Sequence, residues 1–297
     1  MSENIKDRIR RLPCWKVSPE LEEISGGITN QNFLAKAGSS KYFVRAGDDI
    51  PIHGVMRFNE LAASQAAHAA GVSPGVVYSE KGILVLEFID GKTLTAEDFK
   101  DKANITKAVE LILKTHKGMP EYFEGPALTF WVFQVIRGYA LSLKKLKYSN
   151  TTLIAELVRQ GEYLESNMGP IRLVFGHNDL LPANFIDDGE RMWLIDWDYA
   201  GFNTPLFDLG GFCSNNELTG DQETYVLNQY FRTDVAESIL KEFAIMKCAS
   251  LLRETMWSMV SEKTSDLDFD YARYTEGNLT AFQSSFESFK SQFETAG

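Results

Sequence analysis

The amino-acid sequence predicts an α+β fold in two lobes: a small antiparallel sheet lobe carrying one helix over residues 1–90, then a larger, mostly helical lobe over 91–297. Three observations predict it. Short runs rich in aromatic and β-branched residues, bounded by turns, crowd into residues 21–89. Beyond "IDGKTL" the apolar spacing changes to the period of helices. No repeat, low-complexity tract or long linker separates the two regimes, so the polar turn at Asp90 and Gly91 is the expected hinge.

In chain order, "NFLAKA", "KYFVRA", "GVVYS" and "ILVLEFI" read as strands. One helix interrupts them over 55–70, alanine-rich, with Phe58, Leu61 and Ala62 on one side; Gly71 and Pro74 end it. In the second lobe, helical periodicity covers 105–115, 130–146, 152–164, 236–260 and 271–293. Between them "IRLVFGH", "NFIDDG" and "RMWLID" read as short strands, with Asp188-Gly189 as the turn of a small hairpin.

Composition narrows the function. Of 297 residues, 30 are Lys or Arg and 41 are Asp or Glu, a formal net charge of -11. That field disfavours nucleic acid and anionic lipid and suits a small cationic partner. Cys14, Cys213 and Cys248 are scattered without metal spacing and read as reduced, buried thiols of a cytoplasmic protein. The longest uncharged stretch, 61–79, is broken by Gln65, His68, Gly71 and Pro74, and "MSENIKDRIRR" lacks an apolar signal core, so no membrane insertion is expected.

The chemistry concentrates in "VFGHNDLLPANF" and "WLIDWDYAGFNTPLFDLG". Asp179 and Asn184 stand in D-x4-N spacing, and Asp196 follows the next strand. Phosphoryl transfer uses such a set: one carboxylate to orient the attacking hydroxyl and take its proton, and an amide and a carboxylate as hard oxygen ligands for Mg2+. Asp179 fits the first role, Asn184 and Asp196 the second, and His177 supports the loop. Any one of these residues would be unremarkable as a cap or turn, since Asn and Asp favour loops. The set is specific.

The first lobe offers a phosphate cover and a cation, as a bound nucleotide would need. "ISGGITNQNF" is a Gly-Gly turn between strands, in which Gly26, Gly27, Thr29 and Asn30 let backbone N–H groups approach phosphate oxygens. Arg45 ends a strand as the cation for those phosphates, and Glu60 on the following helix is its expected ion-pair partner. "LVLEFIDG" offers the backbone of Glu87, Phe88 and Ile89 to adenine, although an ordinary buried strand would carry the same residues.

These residues together resemble the choline/ethanolamine kinase family within the aminoglycoside phosphotransferase superfamily. The resemblance runs from "SGGITNQNF" through "HNDLLPANF" and "IDWDYAGFNTPLFDLG" to "ETMWSMV". It implies a protein-kinase-like two-lobed fold, ATP and Mg2+, and transfer of the γ-phosphoryl group to the hydroxyl of choline or ethanolamine. Asp198 and Tyr199 then lie where the alcohol and its cation approach, and Asp208 braces the loop. Two departures stand out: Leu180-Leu181-Pro182-Ala183 in the loop, and Glu254 where members often carry a second tryptophan, one turn before Trp257. A quaternary ammonium is held by ring faces, whereas a primary ammonium prefers carboxylates, so Glu254 should loosen the preference for choline. The ring candidates are Tyr199, Trp257 and one of Phe269, Tyr271 or Tyr274, with Tyr271 taken first. The competing expectations are a kinase of another small cationic alcohol, such as thiamine or an aminoglycoside, and a catalytically silent nucleotide-binding relative. No A-P-E element follows Asp196, which argues against a protein kinase.

Overall fold

A computed structural model describes residues 4–24, 30–265 and 267–293. A short helix α1 (Ile5–Arg10) precedes an antiparallel sheet of β1 (Glu20–Ile24), β2 (Gln31–Ala37), β3 (Ser40–Ala46), β4 (Val76–Glu80) and β5 (Ile83–Glu87), in the order β1-β2-β3-β5-β4. Alternation along β2 turns Phe33 and Ala35 inward, where they meet Val44 of β3, Val85 of β5 and Ile9 of α1. α1 was not legible as a helix: six residues are too few to establish a period.

Between β3 and β4 lies α2 (Arg57–Ala69), close to its expected limits. The loop before it folds away from the sheet. His53 reaches the second lobe, with Nε2 3.2 Å from Ser261 Oγ and Nδ1 3.4 Å from Tyr139 Oη. Burial pushes its pKa down to about 4, helped by the nearby Arg253 charge, so this contact is made by a neutral ring.

Past the sheet, β6 (Lys92–Thr93) pairs with β8 (Phe185–Asp187), which pairs with β9 (Met192–Leu194). The hairpin turns through Asp188 and Gly189, the latter at φ +92. β7 (Val174–Gly176) stays outside this hairpin and pairs instead with β10 (Gly201–Asn203), so the run expected from 171 to 177 contributes only three strand residues. The helices α3 (Lys102–Gly118), α4 (Val132–Lys145), α5 (Thr151–Ser166), α8 (Glu237–Thr264) and α9 (Tyr271–Phe293) match the periodic segments.

Two helices escaped the sequence reading: α6 (Pro205–Asn215) and α7 (Gly220–Phe231). Two adjacent glycines make α6 read as a turn, since glycine costs a helix interior about 1 kcal/mol. Their purpose is packing. A Cβ on Gly210 would stand 2.7 Å from the backbone nitrogen of Lys247 in α8, so only glycine permits this approach. α8 is buried from Phe243 to Ser261 on nearly every side, because α4, α5, α6 and α9 surround it. It is the post on which half the site is mounted. No helix of the described residues is long and apolar enough to cross a membrane.

Candidate active site

The loop after β7 is held from behind. Asp208 of α6 accepts the backbone N–H of His177 at 2.8 Å and of Asn178 at 2.7 Å, and lies 2.9 Å from His116 Nε2 of α3. His116 in turn reaches Tyr230 Oη of α7 at 2.8 Å. Burial alone would raise the Asp208 carboxyl, but these donors outweigh it and hold it below the usual carboxylate range. The bracing role expected of Asp208 is therefore visible as hydrogen bonds. Asn178 sits at φ 65, a left-handed conformation that costs a non-glycine residue about 1–3 kcal/mol. Its amide offsets that cost by donating to the carbonyls of Tyr199 and Gly201 at 3.0 and 3.1 Å and accepting from Asn203.

This geometry aims Asp179 outward. Its carboxylate retains 16% exposure and accepts from Arg253 Nη2 at 3.0 Å. Burial pushes its pKa up to about 7; Arg253 opposes, while Glu254 and Asp196 add to the rise. His177 does not join it. It is fully buried, tilted against Trp197 with ring centres 4.6 Å apart and Nε2 2.9 Å from the Ile195 carbonyl, and burial lowers its pKa. The ring ties this loop to the Ile195–Trp197 segment.

Asn184 closes the loop. Its Nδ2 donates to the Asp179 carbonyl at 2.8 Å, and its own carbonyl accepts from Ile195 N at 3.0 Å, which sets it beside Asp196. Asp196, at φ 72, turns its carboxylate toward the first lobe. Its Oδ1 is 2.9 Å from Arg45 Nη2 yet enclosed without a proper hydrogen bond. Burial would raise Asp196, but Arg45 and His177 hold it below its ordinary value. A carboxylate held in its ionised form close to an amide whose nitrogen is already spent offers two hard oxygen ligands of the kind Mg2+ takes, with water and phosphate left to complete the shell. The residues present fit Mg2+.

Arg45 itself is only 7% exposed. Its Nη1 bonds Glu60 Oε1 at 2.5 Å and Asp198 Oδ1 at 2.7 Å. Behind this contact the space bordered by Glu60, Leu86 and Asp196 measures only about 10 Å³, so packing fixes the guanidinium. Arg57, which sequence reading passed over, joins from the start of α2: its Nη1 reaches Glu60 Oε2 at 2.6 Å and Asp198 Oδ1 at 2.8 Å, and its Nη2 bonds Asn30. Asp198 is buried among Arg45, Arg57 and Asn30, with its pKa pushed up to about 7 by burial against the pull of Arg45.

Of the expected hinge, Glu87 cannot offer its N–H, which is bonded to the Gly75 carbonyl at 2.9 Å. Phe88 and Ile89 continue past the β3–β5 ladder. Gly26, Gly27 and Thr29 lie outside the described residues.

The ring group is a stack in its own right. Trp257 of α8, 5% exposed, donates to Tyr199 Oη at 2.9 Å and lies 5.4 Å from the His53 ring, 6.2 Å from Tyr271 and 6.4 Å from Tyr274. Tyr271 is also buried. Glu254 accepts from Tyr274 Oη at 2.8 Å and from Arg253 Nη1 at 2.6 Å. Arg253 is the other residue that sequence reading missed: next to Glu254 on a helix it looks like an ordinary exposed ion pair, and only burial inside α8 brings it onto Asp179. A cavity of about 520 Å³ adjoins this stack, lined by Asn30, Gln31, His53, Trp257, Ser261 and Tyr271. The cysteines are free, and Cys14 is half-buried rather than buried.

Comparison with known proteins matches this arrangement to one family. The choline/ethanolamine kinase family model covers residues 21–231. A choline/ethanolamine kinase family protein from Mesorhizobium loti superposes with a TM-score of 0.79 at 27% identity, over 95% of this chain and 94% of that one. A probable ethanolamine kinase of Arabidopsis thaliana is 26% identical over 289 residues, 86% of this chain and 76% of its own length. The choline kinase LicA of Streptococcus pneumoniae shares the fold, with a TM-score of 0.75 at 24% identity over 94% of this chain and 98% of that one. With the family model spanning residues 21–231 and kinases among the relatives, this chain belongs to the choline/ethanolamine kinase family and is a phosphotransferase acting on an alcohol.

Proposed function

We propose that the protein transfers the γ-phosphoryl group of ATP, with Mg2+, to the hydroxyl of choline or ethanolamine. One observation carries the reading: Asn184 bonds the backbone of Asp179 and of Ile195, which precedes Asp196, and Asp196 pairs with Arg45 of the first lobe. Asp179, partly open and raised to about 7, orients the acceptor hydroxyl and takes its proton near neutral pH. Asn184 Oδ1 and Asp196 would hold Mg2+, which when bound neutralises charge on the triphosphate. Arg45 presents a guanidinium to phosphate oxygens while Glu60 and Asp198 keep it from swinging away.

Gly26, Gly27, Thr29 and Asn30 cover the phosphates in this reading, and Phe88, Ile89 and the Glu87 carbonyl face adenine. The lobes divide near residue 90. Glu254, Trp257, Tyr199 and Tyr271 flank the acceptor's ammonium. Catalysis is then mainly positioning and charge neutralisation, as the loose transition state of phosphoryl transfer allows. Three free thiols are consistent with a cytoplasmic location.

An ATP-consumption screen with choline, ethanolamine, thiamine and kanamycin tests this. ADP should form with choline or ethanolamine only in the presence of Mg2+, and Asp179→Ala should lose about 10²- to 10⁴-fold in kcat. Turnover confined to thiamine or kanamycin would reject the acceptor, and an active Asp179→Ala would reject the base.

A further inference from the structure

We infer that Arg253 sets the acceptor class, making the site select alcohols whose ammonium carries N–H bonds over quaternary ammonium alcohols. The inference rests on the amino-alcohol kinase reading above and narrows it.

A trimethylammonium group has no hydrogen to donate and is held by the faces of aromatic rings. Here those faces are largely taken by the protein itself. The Arg253 guanidinium carbon lies 4.9 Å from the Tyr199 ring centre and 5.8 Å from that of Phe130, so an internal cation already covers Tyr199. Trp257 is packed by His53, Tyr271 and Tyr274. Trp257 and Tyr271 edge the 520 Å³ cavity with only 5% of each exposed, and the exposed ring of the group is Phe269 at 41%.

Carboxylates, by contrast, are presented and have capacity to spare. Arg253 holds Asp179 with Nη2 and Glu254 with Nη1, so one planar fork fixes both. Each carboxylate oxygen can accept two hydrogen bonds. Glu254 Oε1 takes one from Tyr274 and Oε2 one from Arg253. Arg253 is a single cation shared between two carboxyl groups, which leaves acceptor positions on both for the N–H bonds of an ammonium. A site built to receive N–H donors discriminates against an analogue lacking them, because the spare acceptor positions are then stripped of water with no donor to replace it.

The test is kcat/KM for ethanolamine, N-methylethanolamine, N,N-dimethylethanolamine and choline with saturating ATP and Mg2+. Bulk grows by one methyl at every step, whereas the last N–H disappears only at the final one. The expected result is a disproportionate last step of at least about tenfold, the size of one charge-assisted hydrogen bond. In Arg253→Lys, whose point charge cannot bridge both carboxylates, the ethanolamine-to-choline ratio should fall about tenfold, chiefly through the acceptor KM, with the KM for ATP within about twofold. Choline equal to or better than ethanolamine overturns the inference and leaves the kinase reading standing. So does an Arg253→Lys variant that lowers all four acceptors in proportion. Absence of turnover on all four removes the kinase reading and this inference together. Should Arg253→Lys not fold, the wild-type series alone decides.

Discussion

Asp208→Asn asks how much of the site depends on one buried carboxylate. Asp208 is 2% exposed and receives three donors: His177 N at 2.8 Å, Asn178 N at 2.7 Å and His116 Nε2 at 2.9 Å. The amide keeps the shape but has a single acceptor oxygen. Oδ2 takes two of the donors and Oδ1 the third, so the favoured amide orientation points its NH2 at the Asn178 N–H. One charge-assisted hydrogen bond, about 1.5–3 kcal/mol, is lost, the other two weaken, and a buried N–H is left unpaired. We expect a loss of about 3 kcal/mol, below the cost of removing the carboxylate altogether. Urea unfolding should show it as a lower midpoint at unchanged slope. Release of Asn178 from φ 65 also lets the next residue, Asp179, drift; a displacement near 1 Å costs about 10²-fold in kcat. An unfolding free energy within 1 kcal/mol of wild type, or kcat within about threefold on folded protein, would refute the bracing argument.

Arg45→Lys should raise the KM for ATP about tenfold or more, because a lysine cannot fork between Asp196 and the Glu60–Asp198 pair; initial rates against ATP concentration check it. Acceptor kcat/KM should climb with pH and level off above about 7, since protonated Asp179 cannot take the hydroxyl proton; a flat profile from pH 5 to 8 contradicts this. Ionising a carboxyl whose folded pKa is raised weakens the fold, so the contribution of Asp179 and Asp198 to stability is present below about 4 and lost as pH rises through about 7. Phe212→Ala opens the triad it forms with Phe99 and Phe185, centroids 5.2 and 5.7 Å away, and should cost about 3–5 kcal/mol by chemical denaturation.

The sequence by itself determined whatever is local. Alternation along β2 and β3, the long periods of α8 and α9, and the H-N-D-x4-N spacing are each written within one short segment. A loop's residue types are set by the oxygens it must present, so Asp179, Asn184 and Asp196 were legible as a set, and so was the pairing of Arg45 with Glu60. Tertiary structure decided what depends on distant partners. Asp198 turned toward Arg57, 141 positions away, and Arg253 toward Asp179, 74 away. His116 reached Asp208 across 92. None of these has a spacing to be read, because a buried charge is stable only where the fold supplies its counter-charge, and chain order does not record which face of a helix is covered. α6 is the same lesson in backbone form: its glycines look like a turn until α8 is laid against them.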